Sequence, residues 1–470
     1  MKEVWIQWLA FTLFWLAPSG WCLEPIGQTG KTTPSVNLSL AEITATALKN
    51  SPKLAAARLS ALSAYSEANS VGDSEYPRLS VSGNYFYQTT IPDLKVGLSS
   101  IPFGFNNNWS ANANLSFDLW DFRSLHNQAN SVEAQAQSQD QAYQSAKRQL
   151  LLAVRMNYFQ AQINLEQVRL LGDSIMVAQA QYEDISHQAR YGTASQLDKL
   201  SSHQEVLNYQ RAFSQAQAAL ASSLRDLFDL AGAAEPADLA APLDSRMEGN
   251  LPNGSDPPTV WLSMDPEESS LKDLQAGAQA PPDDSVPQLK TYAFLADSAR
   301  FAADSVAVQM LPKVTLSAQA GFQDPIGPID ETIQQNTVSV TASMPIFDWG
   351  QILDDSDSKR KQSQAYLKNL DQAKADLWRD WNKSQDLLRS NRYQEKLNLT
   401  AVSETQQLSQ LTYASYKAGG SKYLEVQTAN FQSLTAKVQA VTNDIQMLMQ
   451  LSVLSSLSGG SPQSTVGSSQ

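Results

Sequence analysis

Asp121 and Gly192 are separated by 71 positions, Asp348 and Gly419 by the same 71, and neither stretch contains a proline. Each therefore reads as one continuous helix closed by a glycine turn. At a rise of ~1.5 Å per residue such a helix is on the order of 100 Å long, several times the usual length. No single globular core can bury it, so it needs partners along its whole course, as in a coiled coil or a helical array. The first copy carries a suitable stripe: Leu151, Val154, Tyr158, Ala161, Leu165 and Val168 alternate spacings of three and four, the pattern of a left-handed seam.

The duplication extends beyond the helices. Ser51-Pro52-Lys53-Leu54 matches Val286-Pro287-Gln288-Leu289, and Tyr76-Pro77-Arg78-Leu79 matches Leu311-Pro312-Lys313-Val314, both at an offset of 235. Farther on, Asp121/Asp348, Gly192/Gly419, Asp198/Glu425 and Gly232/Gly459 share an offset of 227. A single change of eight residues relates the halves, and it falls in a strand-to-strand loop, where length changes are tolerated.

In chain order, residues 23 to 37 read as extended or loose, and Ser39 with Glu42 has the spacing of a capping box that opens a helix ending near Asn50. Pro52 starts a second helix lasting to about Gly72. Leu79 to Tyr85 alternates apolar and polar residues, as does Trp109 to Leu119 across a Pro/Gly-containing connection, so both are strands with two unlike faces. A return helix follows the Gly192 turn, from about Gln196 to Leu230. The second half repeats the scheme, with strands carrying Val314, Leu316 and Phe322, then Val338 and Val340, on their apolar sides. The chain divides into a signal peptide (1–22), a first repeat (23–232; β-hairpin about 78–120, helical hairpin about 122–232), a linker (233–269), a second repeat (270–459; β-hairpin about 313–347, helical hairpin about 349–458) and a disordered tail (460–470).

The signal peptide is read from Lys2, the apolar run Val4 to Ala17 and Pro18-Ser19-Gly20; a membrane anchor is the alternative. Cys22, the only cysteine, lies at the cleavage region, and the bulky Trp21 before it argues against lipidation. The exported chain then has no disulfide and relies on packing or assembly. After residue 22 no apolar run approaches the ~20 residues of a membrane helix. A net charge of −13 with no basic face excludes nucleic acid as a partner.

Strands of ten or eleven residues with one apolar and one polar face fit a bilayer-spanning β-barrel; an ordinary soluble sheet packed on a core is the rival reading. Four strands cannot close a barrel, since the smallest membrane barrels have about eight. Because unpaired strand edges are not tolerated in lipid, several chains must share one barrel. The lipid-facing positions are then Leu79, Val81, Tyr85, Trp109, Leu115, Phe117, Val314, Leu316, Phe322, Val338 and Val340.

In its order and spacing, the series Ser-Leu-Ala-Glu-Ile, Ser-Pro-Lys-Leu, Tyr-Pro-Arg-Leu, β-hairpin, Leu-Trp-Asp, long helix and Tyr-Gly-x-x-x-x-Leu-Asp, repeated with Leu-Pro-Lys-Val, Ile-Phe-Asp-Trp-Gly and Tyr-Lys-Ala-Gly-Gly-Ser-Lys-Tyr-Leu-Glu-Val, resembles the TolC-like outer-membrane efflux protein family. The likeness runs from about residue 38 to residue 459. It implies a mainly α fold with a membrane β-barrel part: duplicated helical hairpins forming a trimeric helical tunnel, and four β-strands per chain contributing to a shared 12-stranded outer-membrane barrel. It also implies a passive exit duct joined through a periplasmic adaptor to an inner-membrane efflux pump or ABC exporter of a type I secretion system, in the outer membrane of a Gram-negative bacterium.

The family's tip pattern, Arg-Tyr-x-x-Gly-x-x-x-x-Leu-Asp, is matched by Gly192, Leu197 and Asp198, with Arg190 and Tyr191 directly abutting the glycine; in the second copy Tyr416, Gly419 and Leu424 match, Ser415 stands for Arg and Glu425 for Asp. The resemblance makes Gly192, Thr193, Ala194, Ser195, Gly419, Gly420 and Ser421 adaptor-contact turns, and Arg190, Tyr191, Asp198, Tyr416 and Glu425 a periplasmic gate. Purely structural roles compete: glycine for a left-handed turn, Ser195 and Asp198 for capping the return helix. Repeated around a threefold axis, Asp198 and Glu425 would form an acidic ring favouring cations.

Enzymatic readings fail for want of chemistry. The three histidines, His126, His187 and His203, accompany no Ser/His/Asp set, His-Glu-x-x-His, cysteine pair or phosphate loop, so no metal or cofactor is expected. A periplasmic structural or adhesive coiled coil without a pore is the alternative function.

Overall fold

The computed structural model describes residues 36–96, 99–102, 104–236, 262–266, 271, 274–275, 278, 280–326 and 329–458. The expected signal peptide, the tail and most of the linker lie outside the described residues. The chain runs β1 (Val36–Leu38), α1 (Leu40–Asn50), α2 (Pro52–Gly72), β2 (Arg78–Tyr87), β3 (Asp93–Val96), β4 (Ser99–Pro102), β5 (Asn107–Trp120), α3 (Ser124–Arg190), α4 (Gln196–Ala231), β6 (Leu262–Met264), α5 (Pro287–Ala307), β7 (Lys313–Asp324), β8 (Ile333–Ser343), α6 (Gln351–Lys417) and α7 (Tyr423–Leu457).

The long helices α3 and α6 are each 67 residues. Each packs along one part of its length on a 21-residue helix that precedes the strands, α2 or α5, and along another on its return helix, α4 or α7; α5 also lies against α3 and so joins the repeats. In the seam of α3, Val154, Tyr158, Ala161, Leu165 and Val168 are buried, as the three-four spacing predicts. Hydrophobic burial along such a stripe, more than helix propensity, is what holds helices of this length.

Both long helices begin in the same way. After the strand, two consecutive residues take the left-handed conformation, Phe122 and Arg123 (φ 51° and 70°) in the first repeat, Trp349 and Gly350 (φ 59° and 88°) in the second. The preceding carboxylate makes this turn possible: Asp121 accepts from the Arg123 and Leu125 amides at 3.0 and 2.7 Å, Asp348 from the Gly350 and Ile352 amides at 3.0 and 2.9 Å. The amides of Ile352 and Gly350 hold the Asp348 carboxyl below the usual carboxylate range. Stability from this cap is therefore complete above the unfolded value, about pH 3.9, and is lost as pH falls through the lower folded value. Asp348→Asn is expected to lower the melting temperature at neutral pH, with the gap to wild type closing below about pH 4 in a melting series over pH.

Among the described residues the strands give three sheets, one four-stranded in the order β2-β5-β7-β8 and two of two strands. All neighbours in the four-stranded sheet are antiparallel, and its two hairpins have identical register once the offsets are applied: Arg78 faces Ser116 as Lys313 faces Ser343, and Val81 faces Ala113 as Leu316 faces Val340. Alternation predicts the faces correctly up to Asp118, where a bulge makes Leu119 an extra residue and puts Trp120, opposite Val314, on the apolar side.

Three segments differ from the sequence reading. The connection between the first two long strands holds the β3–β4 hairpin rather than plain loop. Residues 36–38, at the end of the segment read as extended or loose, form a strand that pairs in parallel with residues 262–264 of the supposed linker, Val36 opposite Leu262. The Ser39/Glu42 box does not form: the Ser39 hydroxyl donates to Asp265 at 3.0 Å, and Asp265 accepts the Leu40 amide at 2.8 Å in its place. Tyr158 fastens this small sheet to α3, donating to the Leu38 carbonyl and accepting the Asp265 amide, each at 2.9 Å. Burial keeps the Tyr158 phenol well above its ordinary pKa, so it remains a donor.

Candidate functional site: an uncovered sheet and two joined hairpin tips

Cross-strand partners in an antiparallel sheet share a face, so the register decides which side chains lie together. One row contains Leu79, Leu115, Ala318 and Val338; the next, one step toward the helices, holds Phe117, Leu316 and Val340. Val81, Tyr85, Trp109, Val314 and Phe322 fall on the same side, so all eleven positions read as lipid-facing occupy one face. The opposite face carries Ser, Asn, Gln and Thr, as in the row Ser80, Asn114, Gln319 and Thr337. Its charged residues, Arg78, Asp118 and Lys313, gather at the end from which the helices leave, and Lys313 pairs with Asp118 at 2.9 Å.

Among the described residues no helix covers the apolar face: Val81 is 80% exposed, Val338 73% and Val340 63%. A soluble sheet would bury this side on a core, the arrangement the rival reading required. At the helix end the exposed aromatics pair edge to face, Trp120 with Phe122 and Phe347 with Trp349, in equivalent positions of the two repeats. Aromatic side chains of this kind form the girdles at the interfaces of membrane barrels. Among the described residues no helix is long and apolar enough to cross a membrane.

At the far end of the helices both turns are glycine-dependent, with Gly192 at φ 75° and Gly419 at φ 79°. Their construction differs. Thr193 and Ala194 direct their amides to the Gln188 carbonyl, and the Ser195 hydroxyl caps α4 by accepting the Asp198 amide at 3.0 Å. In the second tip the Gly420 amide donates to the Ser415 carbonyl, Ser421 donates to the Thr412 carbonyl, and Lys422 caps α7 without a side-chain bond. Removing the first cap by Ser195→Ala is expected to cost about 1 kcal/mol locally, and adding one by Lys422→Ser to gain a similar amount, read as faster and slower amide exchange in the first turns of α4 and α7.

The proposed gate residues separate into two groups. Burial first, and the Asp198 carboxylate of the other hairpin second, raise the pKa of Tyr416. Arg190, Tyr191 and Glu425 are exposed around the turns. A small apolar cluster of Ile185, Tyr423 and Val426, flanked by Ala194, Tyr413 and Tyr416, packs one tip on the other. Tyr413 donates to Asp184 at 2.9 Å, a bond from one hairpin to the other.

Sequence reasoning missed the strongest join. Glu205 on α4 is only 6% exposed, and its carboxylate accepts from the Tyr423 hydroxyl at 2.7 Å and the Asn430 amide at 3.1 Å, both on α7. Asn430 also donates to Gln181 at 3.0 Å while accepting from Ser409 at 2.7 Å, and the Tyr209 phenol feels the same carboxylate. Burial first and Glu205 second push both phenols up, so they stay protonated donors. The offset of 227 places the exposed Gln432 where a second Glu205 would stand, so the network occurs once and repeat analysis had nothing to detect. His203 stacks on Tyr182 with ring centroids 5.0 Å apart.

A membrane-type sheet with an uncovered apolar side, carried on duplicated helical hairpins, defines a class of outer-membrane channel, and the sequence comparison agrees. The model of the family described as outer membrane efflux protein matches residues 44–233 and 284–460, and the chain belongs to that family, whose members are efflux channels of the Gram-negative outer membrane with a long periplasmic helical tunnel. Among solved structures it is similar to CusC (TM-score 0.71, 18% identity, 92% of this chain and 95% of that one) and to the outer membrane protein VceC of Vibrio cholerae (0.70, 16%, 90% and 96%). It is also similar to the MtrE outer membrane channel of Neisseria gonorrhoeae (0.67, 16%, 92% and 94%). No curated protein sequence matches the chain significantly.

Proposed function

We propose that three copies of this chain close a twelve-stranded barrel in the outer membrane and continue it as a helical tunnel, giving a passive exit duct. Energy for export comes from an inner-membrane efflux pump or ABC exporter, reached through a periplasmic adaptor that meets the hairpin tips. The observation that carries this reading is the four-stranded sheet, which among the described residues is apolar and uncovered on one face, hydroxyl- and amide-lined on the other, with β2 and β8 left as free edges. Free edges must be paired before such a sheet sits in lipid. Gly192 to Ser195 and Gly419 to Ser421 are the adaptor-contact turns, and the exposed Tyr191, Leu197 and Leu424 beside them supply apolar contact area. The joined tips act as the gate: Asp184 with Tyr413, and Glu205 with Tyr423, hold the two hairpins together beside Asp198 and Tyr416, while Glu425 presents its carboxylate nearby.

Purified protein reconstituted into a planar bilayer is expected to give discrete conductance steps with cation preference, weakened when Asp198 and Glu425 are changed to Asn and Gln. Silence in the wild type and in that double variant would refute the duct.

A further inference from the structure

On the polar face of the four-stranded sheet only Arg78, Asp118 and Lys313 are charged among the described residues, and they are not equivalent. Lys313 is compensated: its ammonium lies 2.9 Å from Asp118, which also accepts the Thr315 hydroxyl at 2.7 Å. The offset of 235 makes Arg78 the counterpart of Lys313 and Ser80 that of Thr315, but the offset of 227 puts Pro345 where Asp118 has its counterpart. The cation of the first repeat has therefore lost its carboxylate. Arg78 is exposed and makes no ion pair among the described residues; of the carboxylates just before it, on the turn that carries Asp73 and Glu75, the second faces His126 at 3.2 Å.

An arginine at the end of a membrane strand commonly serves a lipid headgroup. The register denies Arg78 that task. It stands opposite Ser116, in the row that continues through Ser317 and Ser339, and so shares the face turned away from lipid. Arg78, Lys313 and Asp118 together leave one positive charge per chain, at the end of the sheet from which the helices depart. The remainder of this face is uncharged. Charge confined to one level of a passage with low-dielectric walls concentrates its field there and raises the local density of opposite charge.

We infer that Arg78 sets the ion preference of the barrel end of the duct, drawing in small anions and the carboxylate, phosphate or sulfate groups of passing solutes. Its sign is opposite to that of Asp198 and Glu425 at the tips. The inference rests on the duct reading and adds to it a selectivity residue and a class of solute.

Reversal potentials in a potassium chloride gradient test it, measured on reconstituted protein in the Asp198→Asn, Glu425→Gln background so that the tip carboxylates do not mask the effect. Arg78→Ser is expected to raise the potassium-to-chloride permeability ratio roughly threefold near 0.1 M salt, with the change fading toward 1 M as screening shortens to ~3 Å. Arg78→Glu changes the charge by two and should raise the ratio by roughly the square of that factor. Asp118→Asn, which uncovers Lys313, should move the ratio the other way. Arg78→Lys keeps the charge and should match the parent, an outcome that a purely structural arginine would not give. Conducting channels whose ratio ignores Arg78→Glu at low salt, or changes equally with Arg78→Lys, overturn the assignment and leave the duct standing. Silence of both the wild type and the background protein refutes the duct and the assignment with it.

Discussion

Glu205→Leu is expected to raise the open probability of the reconstituted channel by on the order of a hundredfold, with amide exchange at both hairpin tips accelerated to match. The substitution leaves the Tyr423 hydroxyl and the Asn430 amide without their carboxylate in a buried site. An unmet buried polar group costs about 1 to 3 kcal/mol, and bonds to a charged acceptor are worth about 1.5 to 3 kcal/mol each. The loss is thus about 3 kcal/mol, which converts to roughly two decades in the ratio of separated to joined tips. Apolar packing of Ile185, Tyr423 and Val426 remains and keeps the hairpins folded. Glu205→Gln retains an acceptor of the same shape and should fall within a few-fold of wild type. If leucine and glutamine behave alike, and both like wild type, the network does not hold the gate.

The second large effect concerns adjacent residues on opposite faces of β7. Ala318 lies in the apolar row with Leu115 and Val338, and Gln319 in the polar row with Asn114 and Thr337. Arginine near the middle of a lipid-facing strand costs about 2 to 4 kcal/mol, whereas a lumen position tolerates it. Ala318→Arg is therefore expected to lower the heat stability of the oligomer sharply and to reduce the amount recovered in outer membranes, the cost being incurred by every chain of the assembly. Gln319→Arg should leave recovery close to wild type while shifting ion selectivity toward anions. The comparison is read by unheated gel mobility after a temperature series. The reverse ranking would place the apolar face inward and contradict the membrane reading.

Features that repeat locally were the ones open to sequence reasoning. The three-four stripe around Tyr158 and the alternation from Trp109 need only neighbours along the chain, and the offsets of 235 and 227 tie the repeats together residue by residue. Asp121 and Asp348 stood out as landmarks, yet their task was hidden, because nothing in Phe122-Arg123 or Trp349-Gly350 announces two successive left-handed residues. Asp265 was invisible as a helix cap, since it closes α1 from 225 positions away. Glu205 was hidden for a related reason: a carboxylate on a polar helix looks solvated until the other repeat supplies Tyr423 and Asn430. The bulge at Leu119 falls where apolar residues follow one another, so alternation gives no signal there.

The native mass of the protein, extracted from outer membranes in mild detergent and left unheated, tests most directly whether strand quartets are completed by sister chains. The account predicts a single species of three chains that falls to one chain on heating. A stable lone chain in the membrane extract, or the whole population recovered as a water-soluble monomer, would contradict it.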